Sequence, residues 1–565
     1  MLVSDYLVDF LIKQKVTDVF GIPGGVVLEF INAIQRRTYK IKSHLSFHEQ
    51  SSVFSACGYS LASKKLGVAY ATRGPGITNT VTAVADAFCD SIPVLIITGH
   101  SNSAPKNGMR VFADQEIDTI KMFSGITKYC VRIDKAKDFQ YQLEKACFNA
   151  MNGRKGPVLI DINTNILFEK IIIKKSIKFL NKKKSSSLIN TCINQIKKQI
   201  SKSKRPLFII GDGFRSTNAT KNFINISNRL KIPILSSRFS QDLFSKSKMH
   251  YGYFGSHGLR CGNFILSKSD LIISLGNRMI WPIKSKSFKK VTQKKIIRID
   301  IDKNELKRKI PNSKNFNLNL TDVIKKLENT NISYSNANIW INACSKIKKE
   351  LHHEDYGYPI TAITEILKTI SKESTLVSDV GNNEFWLCRA YAYSGVSNKV
   401  IYSKSFGAMG SAIGKAIGVY YGTRKPVICF IGDQSLQMNI QELQFLASNN
   451  IPITVILLNN FSSGMIRSRE KLRYGRNFAH TTLETGYSVP NFSKVIEAYR
   501  VNFFSVDHSK YKNIKKIIKK DNKPKLLEIK INPEIELIPF IPKGIQFQEM
   551  YPLLDKDIFK KLDNI

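Results

Sequence analysis

Short runs of β-branched and apolar residues, each ending in a glycine-rich or polar turn, recur along the whole 565-residue chain. Residues 64–76 read as a strand and a turn, residues 77–90 as a helix, and residues 92–99 as a second strand. This alternation is typical of a parallel sheet covered by helices. Because 565 residues are too many for one hydrophobic core, we predict an α/β fold with three doubly wound parallel-sheet domains.

The same rhythm divides the chain into three blocks, which we predict to be domains over 1–170, 190–335 and 355–550. The lysine- and serine-rich stretch 174–187 is the expected linker after the first block, and a Lys/Asn/Ser-rich passage at 303–340 leads out of the second. Buried strands are predicted in 156–163, 205–213, 231–237, 269–279, 294–302, 374–383, 425–435 and 451–460.

The chain is strongly basic, with 86 Lys and Arg against 44 Asp and Glu and a formal net charge of +42. Such an excess would suit nucleic acid or an anionic membrane. The lysines are dispersed, however, with local clusters only at 182–184 and 515–520, and no nucleic-acid-binding motif accompanies them. We therefore expect neither nucleic acid nor membrane as a partner. Nucleic-acid binding remains the alternative, and the net charge is its only support in the sequence.

Several features indicate a cytoplasmic protein. No cationic leader precedes an apolar core at the N-terminus, where Asp5 and Asp9 interrupt the apolar run. The longest apolar stretches, 93–98 and 451–458, are far shorter than the roughly 20 residues of a membrane span. The nine cysteines contain no CxxC pair, which predicts free thiols in a reducing compartment and no zinc site.

The third block presents polar residues at the ends of two predicted strands. One strand ends at Asp433, a helix-like stretch follows over 436–450, and the next strand ends at Asn459 and Asn460. Two parallel strands joined by one helix place Asp433 and Asn460 side by side at the carboxyl edge of the sheet, where α/β proteins bind ligands. Carboxylate, amide and carbonyl oxygens suit Mg²⁺ that holds phosphate oxygens.

Asn460 follows Asp433 by 27 positions. This spacing resembles the thiamine-diphosphate signature, in which GDG is followed about 25 residues later by NN. With that signature, the chain resembles the acetolactate synthase family over nearly its whole length. The motifs that carry the resemblance, in family order, are VFGIPGG (19–25), FHEQ (47–50), GPGITN (74–79), DSIPVLIITG (90–99), QEID (115–118), GPVLIDI (156–162), DVG (379–381), GAMG (407–410) and NFAHT (477–481).

The resemblance implies roles for particular residues. Thiamine diphosphate and Mg²⁺ are the implied cofactors, and Asp433, Asn460 and the carbonyl of Ser462 are the implied metal ligands. Glu49 matches the catalytic glutamate that meets the aminopyrimidine ring of the cofactor, so that the reactive carbon can lose its proton. The other implied cofactor contacts are Asn382, Asn383, Met409, which supports the bent cofactor, Gly432, Gln434, which replaces the last glycine of GDG, Ser435 and Met465.

The resemblance also implies a homodimer or homotetramer, because in that family the glutamate and metal domains face each other across two subunits. Two further points stay open. Arg278 matches an arginine of the family's FAD-binding domain, but Met279, Ile280 and Trp281 replace the usual Phe-Asp-Asp, so FAD is possible and undecided. The tail 544–559 resembles acetolactate-synthase-like enzymes found with surface-polysaccharide genes.

The sequence departs from the family where substrates bind. Arg469 stands in place of an acceptor-selecting tryptophan, Asp114 before Gln115 replaces a phenylalanine, and Arg73 replaces a serine. Unpaired buried charge is costly, so either the arginines face solvent or the acceptor is larger, polar or anionic; we favour the second.

The resemblance implies a carboligase that decarboxylates a 2-oxo acid, pyruvate in the simplest case, and transfers the acyl unit to a second carbonyl. The alternatives are a simple decarboxylase or C–C lyase, and a catalytically silent subunit that keeps the fold.

Overall fold

The structure is a computed structural model that describes residues 1–101, 109–110, 113–179, 185–280, 286–352, 357–507, 514–519, 523–542 and 544–565. The chain forms two compact units. One comprises residues 1–181, 369–384 and 400–535, and the other comprises residues 182–368, 385–399 and 536–565.

The first sheet has six parallel strands in the order β2-β1-β3-β4-β6-β5. Its strands are β1 (Asp18–Gly21), β2 (Lys42–Leu45), β3 (Gly67–Tyr70), β4 (Val94–His100), β5 (Tyr129–Ile133) and β6 (Val158–Asn163). The accompanying helices are α1 (Val3–Lys13), α2 (Leu28–Gln35), α3 (Glu49–Ser63), α4 (Pro75–Asn79), α5 (Val81–Asp90), α6 (Thr119–Phe123) and α7 (Ala136–Met151), with 3₁₀ turns at Gly25–Val27, Ser124–Ile126 and Thr164–Phe168.

The second sheet is also six-stranded and parallel, in the order β12-β11-β10-β7-β8-β9. Its strands are β7 (Pro206–Ile210), β8 (Ile234–Ser236), β9 (His250–Tyr253), β10 (Leu271–Leu275), β11 (Lys295–Asp300) and β12 (Ser313–Asn317). The helices of this region are α8 (Ser186–Lys202), α9 (Thr220–Leu230), α10 (Arg260–Lys268), α11 (Lys286–Thr292), α12 (Lys303–Leu306), α13 (Leu320–Glu328) and α14 (Ala337–Glu350), with 3₁₀ turns at Asp212–Ser216 and Arg238–Phe244.

The third sheet repeats the strand order of the first, as β14-β13-β15-β16-β18-β17, again all parallel. Its strands are β13 (Thr375–Ser378), β14 (Val400–Tyr402), β15 (Val427–Gly432), β16 (Ile453–Asn459), β17 (Asn502–Val506) and β18 (Lys525–Lys530). The helices from this part of the chain to its end are α15 (Ile360–Thr369), α16 (Asn382–Ser394), α17 (Ser411–Thr423), α18 (Asp433–Met438), α19 (Glu442–Ser448), α20 (Gly464–Tyr474), α21 (Phe492–Ala498), α22 (Ile514–Lys519) and α23 (Lys556–Asp563), with a 3₁₀ turn at Leu483–Thr485. Of these, α23 belongs to the second compact unit.

These sheets confirm the predicted fold class of three parallel α/β sheets, and each predicted buried strand coincides with an observed one. The bounds of the three domains stay a prediction. The passage 303–340, expected only to lead out of the second block, contains the edge strand β12 and the helices α12 and α13. The helix-like stretch 436–450 is broken between α18 and α19, and residues 77–90 form two helices rather than one.

Helices α3 and α17 cross at close range inside the first compact unit, and glycines make the approach possible. A Cβ on Gly58 would lie 2.0 Å from the carbonyl oxygen of Lys415, and one on Gly418 would lie 1.8 Å from that of Ser55. Beside this contact the fully buried Lys415 ammonium donates to Asp86 over 2.8 Å. The crossing therefore joins the first and third sheets through backbone contact and one buried ion pair.

Among the described residues, no helix is long and apolar enough to cross a membrane.

We expect Gly418→Ala to destabilise the protein, because the added methyl group would overlap the Ser55 carbonyl oxygen. Overpacking of this kind costs about 1–3 kcal/mol. The measurement is the melting temperature by calorimetry. Gly125→Ala is the matched control, since a Cβ at Gly125 meets nothing within 4 Å. Equal melting temperatures for the two variants would contradict this account of the helix crossing.

Candidate cofactor and substrate site

Strands β15 and β16 are neighbours in the third sheet, and Gly432 is in register with Leu458. Asp433 directly follows β15, and Asn460 directly follows β16. Their adjacent carboxyl ends place both residues at one point of the sheet edge, because every strand in this sheet runs in the same direction.

Asp433 is buried at the start of α18, and only one of its two carboxylate oxygens accepts side-chain or backbone hydrogen bonds among the described residues. Its Oδ1 accepts hydrogen bonds from the hydroxyl of Tyr487 and from the backbone N–H of Gln434, both over 2.8 Å. Its Oδ2 is buried and has no hydrogen-bond partner among the described residues. Burial raises the pKa of the Asp433 carboxyl to about 6. A cation at Oδ2 would satisfy this oxygen and favour the charged carboxylate.

Two further amides converge near Asp433. A Cβ on Gly464 would lie 2.5 Å from Nδ2 of Asn460 and 2.7 Å from Nδ2 of Asn382, so both amides border the same glycine. Neither amide atom of the buried Asn382 has a hydrogen-bond partner among the described residues. Ser462 is buried, and its carbonyl oxygen accepts from the N–H of Gly464 over 2.8 Å. Unsatisfied buried donors and acceptors of this kind are typical of a ligand site.

The GAMG turn lies beside this group. Asp379 is fully buried, and its carboxylate accepts from the N–H groups of Gly410 and Ala412 over 3.2 and 2.9 Å, which fixes the turn that presents the half-buried Met409. Burial raises the pKa of the Asp379 carboxyl. Asn383 donates from Nδ2 to the carbonyl oxygen of Asp379 over 3.0 Å.

The remaining predicted cofactor contacts surround the same turns. A Cβ on Gly432 would lie 3.8 Å from Oδ1 of Asn383, and one on Gly410 would lie 3.3 Å from the carbonyl oxygen of Ser435. Ser435 is buried, whereas Gln434 is exposed. Met465 follows Gly464 in the first turn of α20 and is half-buried.

Glu49 is the first residue of α3 and is half-buried. Its Oε2 accepts from Nδ2 of Asn79 over 3.0 Å, and its Oε1 would lie 3.5 Å from a Cβ on Gly76. Among the described residues, no hydrogen bond joins Glu49 to Asp433 or Asn460. Within one chain, the predicted metal ligands Asp433 and Asn460 thus follow neighbouring strands, and their role as ligands stays a prediction.

The predicted substrate residues fall in two places. Arg73 and Gln115 line one cavity of about 610 Å³ at the carboxyl edge of the first sheet, whereas the exposed Asp114 is not part of its lining. Arg469 lies on α20 and is exposed, and its guanidinium is 3.9 Å from the sulfur of Met465 one turn earlier.

In the central sheet region, Arg278 forms an ion pair with Glu305, with 3.5 Å between Nε and Oε1. Met279 is buried and Ile280 is exposed. Trp281, the third residue that departs from the family's FAD pattern, lies outside the described residues.

The sequence interpretation missed two residues that hold the segment around Glu49. Asn439 donates to Oε1 of Gln50 over 3.0 Å and accepts from the Ser51 hydroxyl over 2.8 Å. Glu442 is fully buried, and its Oε1 accepts from the N–H of Phe47 over 2.9 Å. Both lie in the MNIQELQ stretch (438–444), between α18 and α19 or at the start of α19. Their polar side chains in this stretch were the sequence feature that could have indicated their role.

Three segments of the chain match the thiamine pyrophosphate enzyme family. Residues 1–122 match its N-terminal TPP binding domain, residues 193–327 its central domain, and residues 379–529 its C-terminal TPP binding domain. Together with the gathered oxygen and amide groups, these matches define the class of protein as a thiamine-diphosphate-dependent enzyme.

Whole-chain relatives narrow the class. The acetolactate synthase large subunit of Lactococcus lactis subsp. lactis (strain IL1403) is 30% identical, over 99% of this chain and 98% of its own length. Acetolactate synthase 1, chloroplastic, of Oryza sativa subsp. japonica is 30% identical over 98% of this chain and 88% of its own length. The probable acetolactate synthase large subunit of Methanococcus aeolicus is 30% identical, over 96% of this chain and 94% of its own length. The chain belongs to the acetolactate synthase large-subunit family.

We expect the stability of the protein to depend on the ionisation of Glu442. Burial raises the pKa of this carboxyl from 4.5 to about 7, so the folded state is stabilised below about pH 4.5 and loses that stability as the pH rises through 7. Glu442→Gln cannot ionise. Its free energy of unfolding relative to wild type should therefore increase by on the order of 3 kcal/mol between pH 4.5 and pH 8.

The measurement is the melting temperature of both proteins across that pH range. A constant difference between variant and wild type would show that Glu442 does not titrate in this way.

Proposed function

We propose that this protein is a carboligase that decarboxylates pyruvate, a 2-oxo acid, and transfers the acetyl unit to a second carbonyl compound. The observation that carries the proposal is the buried, unpartnered Oδ2 of Asp433 at a strand end that neighbours that of Asn460, whose amide meets the amide of Asn382 at Gly464. Buried polar atoms are rarely left unsatisfied without a ligand. A divalent cation and a diphosphate would satisfy all three side chains.

The donor set fits Mg²⁺. Asp433, Asn460 and the carbonyl of Ser462 would supply three oxygens, which are the ligands that Mg²⁺ prefers. Asn382 and Asn383 would donate to the diphosphate, and Gly432, Gln434, Ser435 and Met465 would contact the cofactor around them. Met409, held by the turn on Asp379, would support the cofactor's two rings.

When bound, thiamine diphosphate supplies the carbon nucleophile that attacks the 2-oxo acid. Glu49 would hold or release a proton at the aminopyrimidine ring. Its position is set by α3, by the hydrogen bond from Asn79, and by Gly76, which leaves room beside Oε1. The residues around Glu49 thus orient one carboxylate whose task is to exchange a proton.

We further propose a homodimer or a dimer of dimers in the cytoplasm, with Glu49 of one subunit serving the metal site of another. The family resemblance supports this arrangement. The nine cysteines are free, which suits a reducing compartment.

The acceptor would bind at the cavity that Arg73 and Gln115 line, and the exposed Asp114 and Arg469 would lie outside that lining. Arg469 is exposed in the single chain and lies one turn from Met465, so it would border the mouth of the site.

We expect Glu49→Gln to fold and to bind thiamine diphosphate while losing most turnover of pyruvate. Glutamine keeps the shape and can keep the contact with Asn79, but it cannot exchange the proton. General acid–base catalysis contributes about 10²- to 10⁴-fold, which sets the expected loss in kcat. Glu169→Gln, at an exposed glutamate, is the control. Full activity in the Glu49 variant would remove Glu49 from the mechanism.

We expect Asp433→Ala to weaken thiamine diphosphate binding only when Mg²⁺ is present, because the metal bridges the diphosphate to the protein oxygens. Titration calorimetry of wild type and variant, with Mg²⁺ and with a chelator, measures this. Asp322→Ala, at an exposed aspartate of α13, is the control. If Asp433→Ala and Asn460→Ala both bind like wild type, the metal site is elsewhere.

A further inference from the structure

The cavity at the carboxyl edge of the first sheet is walled by four strand ends. It has a volume of about 610 Å³ and lies where β1, β3, β4 and β6 pass into their following loops. Its lining residues are Gly25, Val26, Thr72, Arg73, Ser101, Ala113, Gln115, Thr164 and Asn165. Such an edge is the usual ligand position of a parallel α/β sheet.

This cavity adjoins the carboxylate of Glu49. A Cβ on Gly76 would lie 2.7 Å from Cγ2 of Thr72, a lining residue, and 3.5 Å from Oε1 of Glu49. Thr72 and Glu49 therefore both lie close to the point where a side chain on Gly76 would begin. A compound in the cavity would lie close to the group that serves the cofactor in the proposed function.

Among the described lining residues the cation is Arg73, and its charge is already compensated. Nη1 of Arg73 donates to Oε1 of Glu116 over 3.0 Å, and the side chain of Glu116 is only 2% exposed. The same Oε1 accepts from the N–H of Ser101 over 2.5 Å and from the Ser101 hydroxyl. Arg73 thus presents hydrogen-bond donors to the cavity without a net positive charge beside it.

The rest of the lining is neutral and rich in hydrogen-bonding groups. Thr72, Ser101 and Thr164 carry hydroxyls, and Gln115 and Asn165 carry amides. The apolar side chains are Val26 and Ala113. A carboxylate-bearing acceptor would meet no uncompensated cation among the described lining residues, whereas a ligand with several hydroxyls matches their hydroxyl and amide groups.

We infer that this cavity binds the acceptor substrate and selects an uncharged, polyhydroxylated aldehyde or ketone. The inference rests on the proposed function, because the donor must be pyruvate or another 2-oxo acid. In the reaction, pyruvate, an aldehyde and one proton give carbon dioxide and a 2-hydroxy ketone. A bond forms between the acetyl carbon and the acceptor's carbonyl carbon, and the acceptor's oxygen takes the proton.

The test gives the holoenzyme pyruvate and three acceptors of three or four carbons. Glyceraldehyde is uncharged and hydroxylated, propanal lacks the hydroxyls, and 2-oxobutyrate carries a carboxylate. Products are quantified by mass spectrometry, singly and in competition. We expect kcat/KM for glyceraldehyde to exceed the values for both other acceptors by about tenfold or more. Equal or better use of propanal or 2-oxobutyrate would overturn the inference.

A variant tests the charge argument directly. Glu116→Gln leaves Arg73 uncompensated and should shift the product ratio about tenfold toward 2-oxobutyrate. Asp118→Asn is the matched control, because this residue caps α6 through Lys121 N–H and asparagine caps equally well. An unchanged ratio in Glu116→Gln would contradict the role of the ion pair.

If Glu116→Gln does not fold, Thr72→Val serves instead, since it removes one hydroxyl at nearly constant volume. It should raise KM for glyceraldehyde several-fold and leave that for propanal unchanged. Release of carbon dioxide from pyruvate alone is measured in parallel. If the protein releases no carbon dioxide from pyruvate, the proposed function itself is wrong. If it releases carbon dioxide but shows no preference for glyceraldehyde as acceptor, only this inference is overturned.

Discussion

Helices α3 and α17 each begin at a residue or turn with a proposed chemical role, and their crossing fixes how those two beginnings lie within one chain. Glu49 is the first residue of α3, and the turn that presents Met409 immediately precedes α17. The backbones approach so closely that Gly58 and Gly418 cannot carry a side chain without displacing a carbonyl oxygen. Interiors this dense transmit small shifts rather than absorbing them, so the positions of both groups depend on this contact.

The candidate site, by contrast, leaves polar groups unsatisfied. One oxygen of Asp433 and both amide atoms of Asn382 are buried without partners among the described residues. Each such group costs about 1–3 kcal/mol when nothing binds it. A rigid helix crossing beside an unsatisfied cluster is the arrangement expected of a preorganised cofactor site, because binding energy then satisfies fixed groups instead of ordering mobile ones.

Much of this architecture could be predicted from the sequence, since the central strands are continuous apolar runs and Asp433 and Asn460 follow two of them. The edge strand β12, with the polar sequence SKNFN, could not, because an edge strand is held by pairing more than by burial. The break between α18 and α19 was not predicted, because there the side chain of Asn439 forms tertiary hydrogen bonds with Gln50 and Ser51. Local propensity does not report such contacts.

The ion pair between Arg73 and Glu116 could not be predicted from the sequence either, because the two residues are 43 positions apart. From the sequence, Arg73 suggested a polar or anionic acceptor; the structure shows its charge compensated at the cavity wall.

Net charge and local recognition therefore have separate consequences in this protein. With 86 basic and 44 acidic side chains, the chain has a field that attracts any small anion and raises its rate of encounter, pyruvate included. That field is screened within about 8–10 Å in physiological salt and does not distinguish one anion from another. In the proposed function, the acceptor is selected at the cavity of the first sheet, where Glu116 compensates the charge of Arg73. A strongly basic protein would thus attract an anionic donor, while the proposed acceptor cavity would discriminate through the hydroxyl and amide groups of its described lining.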